Sequence, residues 1–285
     1  MKPRHERGSS RKPPRRPDRS RASQRGSTSR SSSDNRGLGG TQIEGRQAVR
    51  ELLLAGRRRV HEIVMSDDLD DNPVMSDILD LAADQRVPVR KIARRELERE
   101  ARSEAPQGVI AFAAELVEAD LADFVGRSSG NRRPFLVAVD GVTDPGNLGA
   151  ILRSCDGAGV DGVILPRHRA VHITPTAAKS AAGAVEYVSM CIVGGLPTAL
   201  RQLKEAGVWI VGLHDAADKS IFDLGDLAKE PICLVLGAEG PGLSRLVRER
   251  CDVVVSIPML GSLSSLNVSA ATALATYEIV RARRA

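Results

Sequence analysis

The chain is short of large aromatic residues: one Trp, two Tyr and four Phe in 285 residues. Its core must therefore be built from Val, Ile, Leu and Ala. No run of about 18 apolar residues occurs, so no membrane span is expected. The N-terminus is charged and has no apolar segment, which argues against a secretory signal. The four cysteines, Cys155, Cys191, Cys233 and Cys251, are single and widely spaced. With no C-x-x-C pair, a zinc site or disulfide framework is not expected, and the reading is reduced core thiols of a cytoplasmic protein. There is no G-x-x-x-x-G-K-[ST], which excludes the common NTPase loop. No G-x-G-x-x-G follows a first strand with an acid about 20 residues on, which weakens a dinucleotide-binding reading. His168 and His172 are four apart but lack H-E-x-x-H or a third ligand, so they read as surface residues and no metal is expected.

What is present is uneven in charge. Residues 1–40 hold 12 Lys and Arg against 3 acids, a formal +9; the whole chain is +5, leaving −4 for residues 41–285. This segment is Arg, Ser, Pro and Gly, with too little apolar surface to order itself, and reads as a disordered basic tail. Such an arm gains affinity for nucleic acid by releasing phosphate counterions. Residues 41–117 read as a small α/β domain, with helices over 45–56 and 75–85 and strands over 61–66, 87–92 and 108–116. Residues 118–133 form a linker with one helical turn and a Ser/Gly/Asn-rich stretch.

Residues 134–285 alternate strands (135–141, 162–166, 187–193, 208–213, 232–237, 252–258) with helices (147–159, 174–184, 196–207, about 265–283). Thr174 and Pro175 mark one helix start. Alternation of this kind argues for α/β architecture, a parallel sheet with helices on both faces. Three polar or glycine-rich stretches lie at strand ends, where such sheets bind ligands. They are DGVTDPGNLGAILRSCDGAGV (140–160), LVLGAEGPGLSRLV (234–247) and SIPMLGSLSSLNVSAA (256–271).

These stretches carry D-x-x-x-x-P-x-N-x-G-x-x-x-R, G-A-E-G-x-G and I-P-M-x-G-S-x-S-S-L-N-V-S, in that order. Together they resemble the SpoU (TrmH) family of RNA 2′-O-ribose methyltransferases over about residues 43–282. The likeness is to the bacterial branch that methylates a guanosine ribose in 23S ribosomal RNA. That branch carries a small ribosomal-protein-like RNA-binding domain in front, which fits residues 41–117, including Gln107-Gly108. The resemblance implies a SPOUT-type parallel sheet with a deep C-terminal trefoil knot from about Cys233 to Leu266, holding S-adenosyl-L-methionine bent in its loops. Small residues would then sit where backbones cross: Gly237, Gly240, Gly242, Gly261, Ala270 and Ala271. Gly237, Ile257 and Leu266 are expected to contact the cofactor, with Leu236, Gly240, Met259 and Ser265 beside them.

The same likeness assigns catalytic positions. Arg153 matches the arginine held to be a general base; because a guanidinium is not deprotonated in proteins, stabilising the alkoxide or binding a phosphate fits it too. Asn147 stands where a helix N-cap would, and by resemblance orients Arg153 or the ribose. Glu239, a charge inside a glycine turn, is expected to pair with Arg153 or Asn147. Ser265 and Asn267 flank the last helix, where one of them caps it, and by resemblance face the active site. Lys179 is either an RNA-phosphate contact or structural, and Asp144 belongs to an Asp-Pro-Gly turn. The family implies a homodimer with RNA as partner and the last helix at the interface. The alternatives are the same chemistry on a transfer RNA or on the thiopeptide-resistance site of ribosomal RNA. A catalytically silent RNA-binding ribosome assembly factor is a further reading, against which the intact Asn147, Arg153, Glu239 and Asn267 stand.

Overall fold

The short apolar runs of the sequence pair into two sheets. The computed structural model describes residues 37–68, 72–126, 133–168 and 172–285. Residues 1–36 of the expected basic tail and 127–132 of the expected linker lie outside the described residues.

The first sheet is built from β1 (Gln42–Glu44), α1 (Arg46–Ala55), β2 (Val60–Ser66), α2 (Pro73–Asp84), β3 (Val89–Ile92), α3 (Arg94–Glu100) and β4 (Val109–Ala113). Its strand order is β1-β4-β2-β3. β4 runs antiparallel to both β1 and β2, and β3 is parallel to β2. α1 buries Val49, Leu52 and Leu53, the stripe read from the sequence, and stops at left-handed Gly56, whose N–H donates to Leu52 O. Asn72 caps α2 by accepting from Val74 N, with Pro73 in the first turn. Neither β1 nor α3 was expected: a three-residue strand shows no alternation, and α3 (RRELERE) buries only Leu97.

After α4 (Leu121–Gly126) come β5 (Phe135–Asp140), α5 (Pro145–Gly157), β6 (Gly162–Pro166), α6 (Pro175–Ser180) and β7 (Met190–Val193). Then follow α7 (Leu196–Glu205), β8 (Trp209–Leu213), β9 (Lys219–Ser220), β10 (Ile232–Gly237), α8 (Arg245–Arg248), β11 (Val253–Ser256) and α9 (Val268–Arg284). The seven strands are ordered β7-β6-β5-β10-β8-β11-β9, and every adjacent pair is parallel. β5 buries Phe135, Val137 and Val139 on one face and Leu136 and Ala138 on the other, as a sheet covered on both sides requires. α4 seals the second face: Phe124 is fully buried, and a Cβ on Gly162 would fall 2.4 Å from its ring.

Several boundaries differ from expectation for local reasons. α6 stops at Ser180 rather than running to 184, because Ala182 (φ 50°) and Gly183 (φ 95°) turn left-handed. Residues 184–186 form a 3-10 turn, and β7 starts at Met190 rather than 187. α5 starts at Pro145, ahead of Asn147, and α9 starts at Val268 rather than 265. Thr174 caps α6 as read, accepting from Ala177 N.

The two sheets meet along a polar seam. The main chain of Leu38–Gly40 pairs with Ile173, with Gly40 N donating to Ile173 O at 2.9 Å. Arg58 reaches from the small sheet to Glu186 (Nε–Oε2 2.9 Å, Nη2–Oε1 2.5 Å), and its Nη1 donates to Gly40 O and Ala114 O. Their side chains are 4% and 1% exposed. Lys179 donates its ammonium to the carbonyls of Glu104 and Ala105. Of the two readings of this residue, the structure supports the structural one. At the amino ends of β5 and β10 Arg283 donates to the carbonyls of Ala228, Arg133, Pro134 and Glu230 and lies over the Phe135 ring, 5.1 Å from its centre.

Candidate active site

The carboxyl ends of β8, β10 and β11 open into a cleft of about 300 Å³. Leu213, Leu236, Ile257, Leu266, Val268 and Ala271 give it apolar walls; the glycine turn 237–242 and Ser264–Asn267 give it a polar rim. All seven residues expected at a cofactor line it: Leu236, Gly237, Gly240, Ile257, Met259, Ser265 and Leu266. Its ionisable side chains among the described residues are His214, Asp215 and Glu239; no Lys or Arg among the described residues lines it. The cleft therefore favours a cation.

The glycine turn is folded tightly on itself. Ala238 N and Gly242 O, and Gly242 N and Ala238 O, bond at 3.1 and 3.0 Å. A Cβ on Gly237 would lie 2.4 Å from the Gly242 carbonyl carbon, and Gly242 itself has φ 66° against the His214 ring. Three other small residues expected at backbone crossings are not crowded: a Cβ on Gly240 or Gly261 meets nothing within 4 Å, and Ala270 is exposed. Asp140, at the end of β5, accepts from Ser244 N at 2.7 Å and so ties the first motif to the exit of the second.

At the mouth three side chains from three segments converge. Glu239 Oε1 accepts from Asn147 Nδ2 at 3.2 Å and from Asn267 Nδ2 at 2.9 Å, and Asn267 Nδ2 also reaches Asn147 Oδ1 at 2.9 Å. Backbone capping positions them. Asp144, not Asn147, is the N-cap of α5, its Oδ1 accepting from Asn147 N at 2.6 Å. Asn147 is freed from capping by sitting one turn inside, where its amide points at Glu239. Asn267 caps α9, its Oδ1 accepting from Ser269 N at 2.8 Å, while Ser265 lines the cleft without capping.

Arg153 does not join this cluster. It is exposed on α5, and among the described residues it makes no hydrogen bond or ion pair; of the two partners expected for Glu239 the structure gives Asn147 and not Arg153, and it adds Asn267. His168 is exposed, His172 is half-buried, and the described residues hold no cluster that could bind a metal. Cys155, Cys191 and Cys233 are buried and free, and burial pushes the Cys191 thiol up to about 11. Sequence reasoning missed Leu213, His214 and Asp215, although their place at a strand's carboxyl end was a usable signal. His214 Nδ1 lies 3.1 Å from both Ala216 N and Asp215 Oδ1.

A parallel α/β sheet with a nucleoside-sized cleft at its strand ends, and a carboxylate–diamide cluster at the mouth, defines a ligand-binding enzyme of the open-sheet class. Residues 134–277 match the SpoU rRNA Methylase family, and residues 42–118 match the RNA 2′-O ribose methyltransferase substrate-binding family. The chain belongs to the SpoU methylase family. It is 40% identical over 241 residues to the 23S rRNA (guanosine-2′-O-)-methyltransferase RlmB of Pectobacterium atrosepticum, covering 85% of this chain and 98% of that protein. It is 42% identical over 244 residues to RlmB of Pseudomonas aeruginosa, covering 85% and 96%. The crystal structure of the SpoU methyltransferase AviRb of Streptomyces viridochromogenes with its cofactor AdoMet superposes with a TM-score of 0.70. That structure is 28% identical and covers 85% of this chain and 90% of that one.

Proposed function

We propose that this protein is an S-adenosylmethionine-dependent RNA methyltransferase that modifies the ribose 2′-hydroxyl of a guanosine in 23S ribosomal RNA. The observation that carries the reading is the cluster of Asn147, Glu239 and Asn267 at the mouth of the cleft, in a chain about 40% identical to RlmB proteins over nearly their whole length. The cleft fits the cofactor: apolar walls suit an adenine, and the Asp215 carboxylate, with no Lys or Arg beside it among the described residues, suits a molecule carrying a sulfonium and an ammonium. When bound, S-adenosylmethionine supplies a methyl group on a sulfonium sulfur, whose departure as a neutral thioether requires no metal. Leu236, Gly237, Gly240, Ile257, Met259, Ser265 and Leu266 would hold it.

The finer architecture belongs to the same reading. The strand order β5-β10-β8-β11 inserts late segments between earlier neighbours, which supports a deep trefoil knot across Cys233–Leu266. Residues 41–117 serve as a ribosomal-protein-like RNA-binding domain, 118–133 as the connection and 134–285 as the catalytic domain, with 1–40 as a basic arm for RNA phosphates. Two copies associate through α9, whose exposed Leu274 and Tyr277 offer apolar surface. Arg153, solvent-facing in the single chain, then lies near that interface and acts on the alkoxide or a phosphate. The protein works in the cytoplasm; no helix among the described residues is long and apolar enough to cross a membrane.

The test is incubation with methyl-labelled S-adenosylmethionine and unmodified ribosomal or transfer RNA, followed by alkaline hydrolysis. A methylated 2′-oxygen cannot attack its phosphate, so the label is expected in one alkali-resistant dinucleotide, and Arg153→Ala is expected to abolish it. Label on transfer RNA alone would move the substrate. RNA binding with no label on any RNA would favour the silent assembly factor.

A further inference from the structure

The amide orientations in the cluster are fixed from outside. Asn267 Oδ1 must be the oxygen, because it accepts from Ser269 N–H and Oγ–H to cap α9. Its Nδ2 is then the donor to Asn147 Oδ1 and Glu239 Oε1. That in turn makes Asn147 Oδ1 an acceptor and Asn147 Nδ2 the donor to Glu239. Both amides therefore end on the same carboxylate oxygen, Oε1. Oε2 of Glu239 has no hydrogen bond among the described residues, and the residue lines the cleft.

Resting on the ribose-methylation reading, we propose that Glu239, through Oε2, is the proton acceptor for the ribose 2′-hydroxyl. A lone pair of the 2′-oxygen forms the new bond to the methyl carbon, the pair of the breaking C–S bond stays on sulfur, and the hydroxyl proton passes to Glu239 Oε2. The proton then leaves to solvent, so the site is restored each turnover. A strong base is unnecessary. As the carbon–oxygen bond forms, the oxygen gains positive character and its proton becomes far more acidic, within reach of a carboxylate. A guanidinium has no such lone pair to offer. The other candidates in the cleft are placed differently: His214 and Asp215 face each other, with His214 Nδ1 3.1 Å from Asp215 Oδ1 and from Ala216 N, and neither has the amide contacts that fix Glu239. Asn147 and Asn267 are positioning residues on this account.

Glu239→Gln isolates the claim. Its Oε1 can still accept from both asparagines, while the Oε2 position becomes an N–H donor. Binding of labelled S-adenosylmethionine by equilibrium dialysis should stay within about threefold of wild type, while turnover on RNA falls about 10³-fold, the scale of a lost general base. Glu239→Asp, which keeps a carboxylate, should be faster than Glu239→Gln. Turnover of Glu239→Gln above about a tenth of wild type would place the acceptor elsewhere. Loss of cofactor binding in that variant would make Glu239 a cofactor ligand instead, and Glu239→Asp no faster than Glu239→Gln would also overturn the assignment. A wild-type protein that binds the cofactor but labels no RNA would remove the methylation reading itself, and this assignment with it.

Discussion

Removing Glu186 should cost the fold more than a surface ion pair would. Its carboxylate and the Arg58 guanidinium are 1% and 4% exposed and meet through two bonds, at 2.5 and 2.9 Å. Exposed pairs contribute about 0–1 kcal/mol because water screens them, and that screening is missing here. In Glu186→Ala, Arg58 stays buried with a positive charge and only the carbonyls of Gly40 and Ala114 to receive it. Breaking one side of a buried pair costs about 3–5 kcal/mol; the two remaining carbonyls place the expectation near the lower end, about 3 kcal/mol. For a unit of this size that corresponds to a fall in Tm of about 6–12 °C. Urea unfolding monitored by circular dichroism would measure it. Arg58→Met/Glu186→Leu should recover much of the loss, because no charge is left stranded. A single-variant cost below about 1 kcal/mol would refute the reasoning, since it would mean that water reaches the pair. Because the pair joins the two sheets, limited proteolysis of Glu186→Ala should also open the seam first.

Other expectations are sharper about the cleft and the core. Gly237→Ala would drive a Cβ to 2.4 Å from the Gly242 carbonyl carbon, so S-adenosylmethionine binding should be lost and stability should fall by about 1–3 kcal/mol, read by dialysis and thermal melting. Asp144→Ala removes the α5 cap and should cost about 1 kcal/mol in a melt, with turnover falling as Asn147 loses its anchor. Arg283→Met takes a donor from the carbonyls of Ala228, Arg133 and Glu230 at the base of β5, while Pro134 O keeps Ile232 N, and should cost about 2–3 kcal/mol in urea unfolding. Burial holds the Cys251 thiol up at about 11, so iodoacetamide should alkylate it slowly at pH 8 and quickly only as pH nears that value; a free-thiol rate at pH 8 would contradict this. The same shift sets a sign for stability: the unfolded chain loses this proton first, so stability should fall as pH rises from the ordinary thiol range of about 8.5 toward 11.

The parallel sheet was readable because its strands are continuous apolar runs set between helical periodicities, as in FLVAVD and ICLVLG. The cleft was readable because its residues sit in three unusual stretches at strand ends. What stayed hidden depended on partners distant in sequence. Nothing near Lys179 shows that its ammonium is spent on Glu104 and Ala105, 75 and 74 residues away. Asn147 read as a cap because Asn often caps; Asp144, three residues earlier with Pro145 behind it, was the stronger claimant. α3 escaped because a helix that buries one leucine carries no stripe. Arg153 was placed by its motif, but a motif does not show which surface a side chain will face.

The position of β10 also governs how the chain can be made. β5 ends at Asp140, yet its neighbour at the centre of the sheet begins only at Ile232, and β8 likewise waits for β10. A chain emerging from the ribosome N-terminus first can complete the small sheet early, while β5 and β8 keep open edges until the last quarter of synthesis. Pairings this far apart in sequence are slow to form. The nascent C-terminal half should thus depend on chaperones more than the small half does, and shortening the chain from its C-terminal end should unmake the middle of the sheet rather than trim its edge.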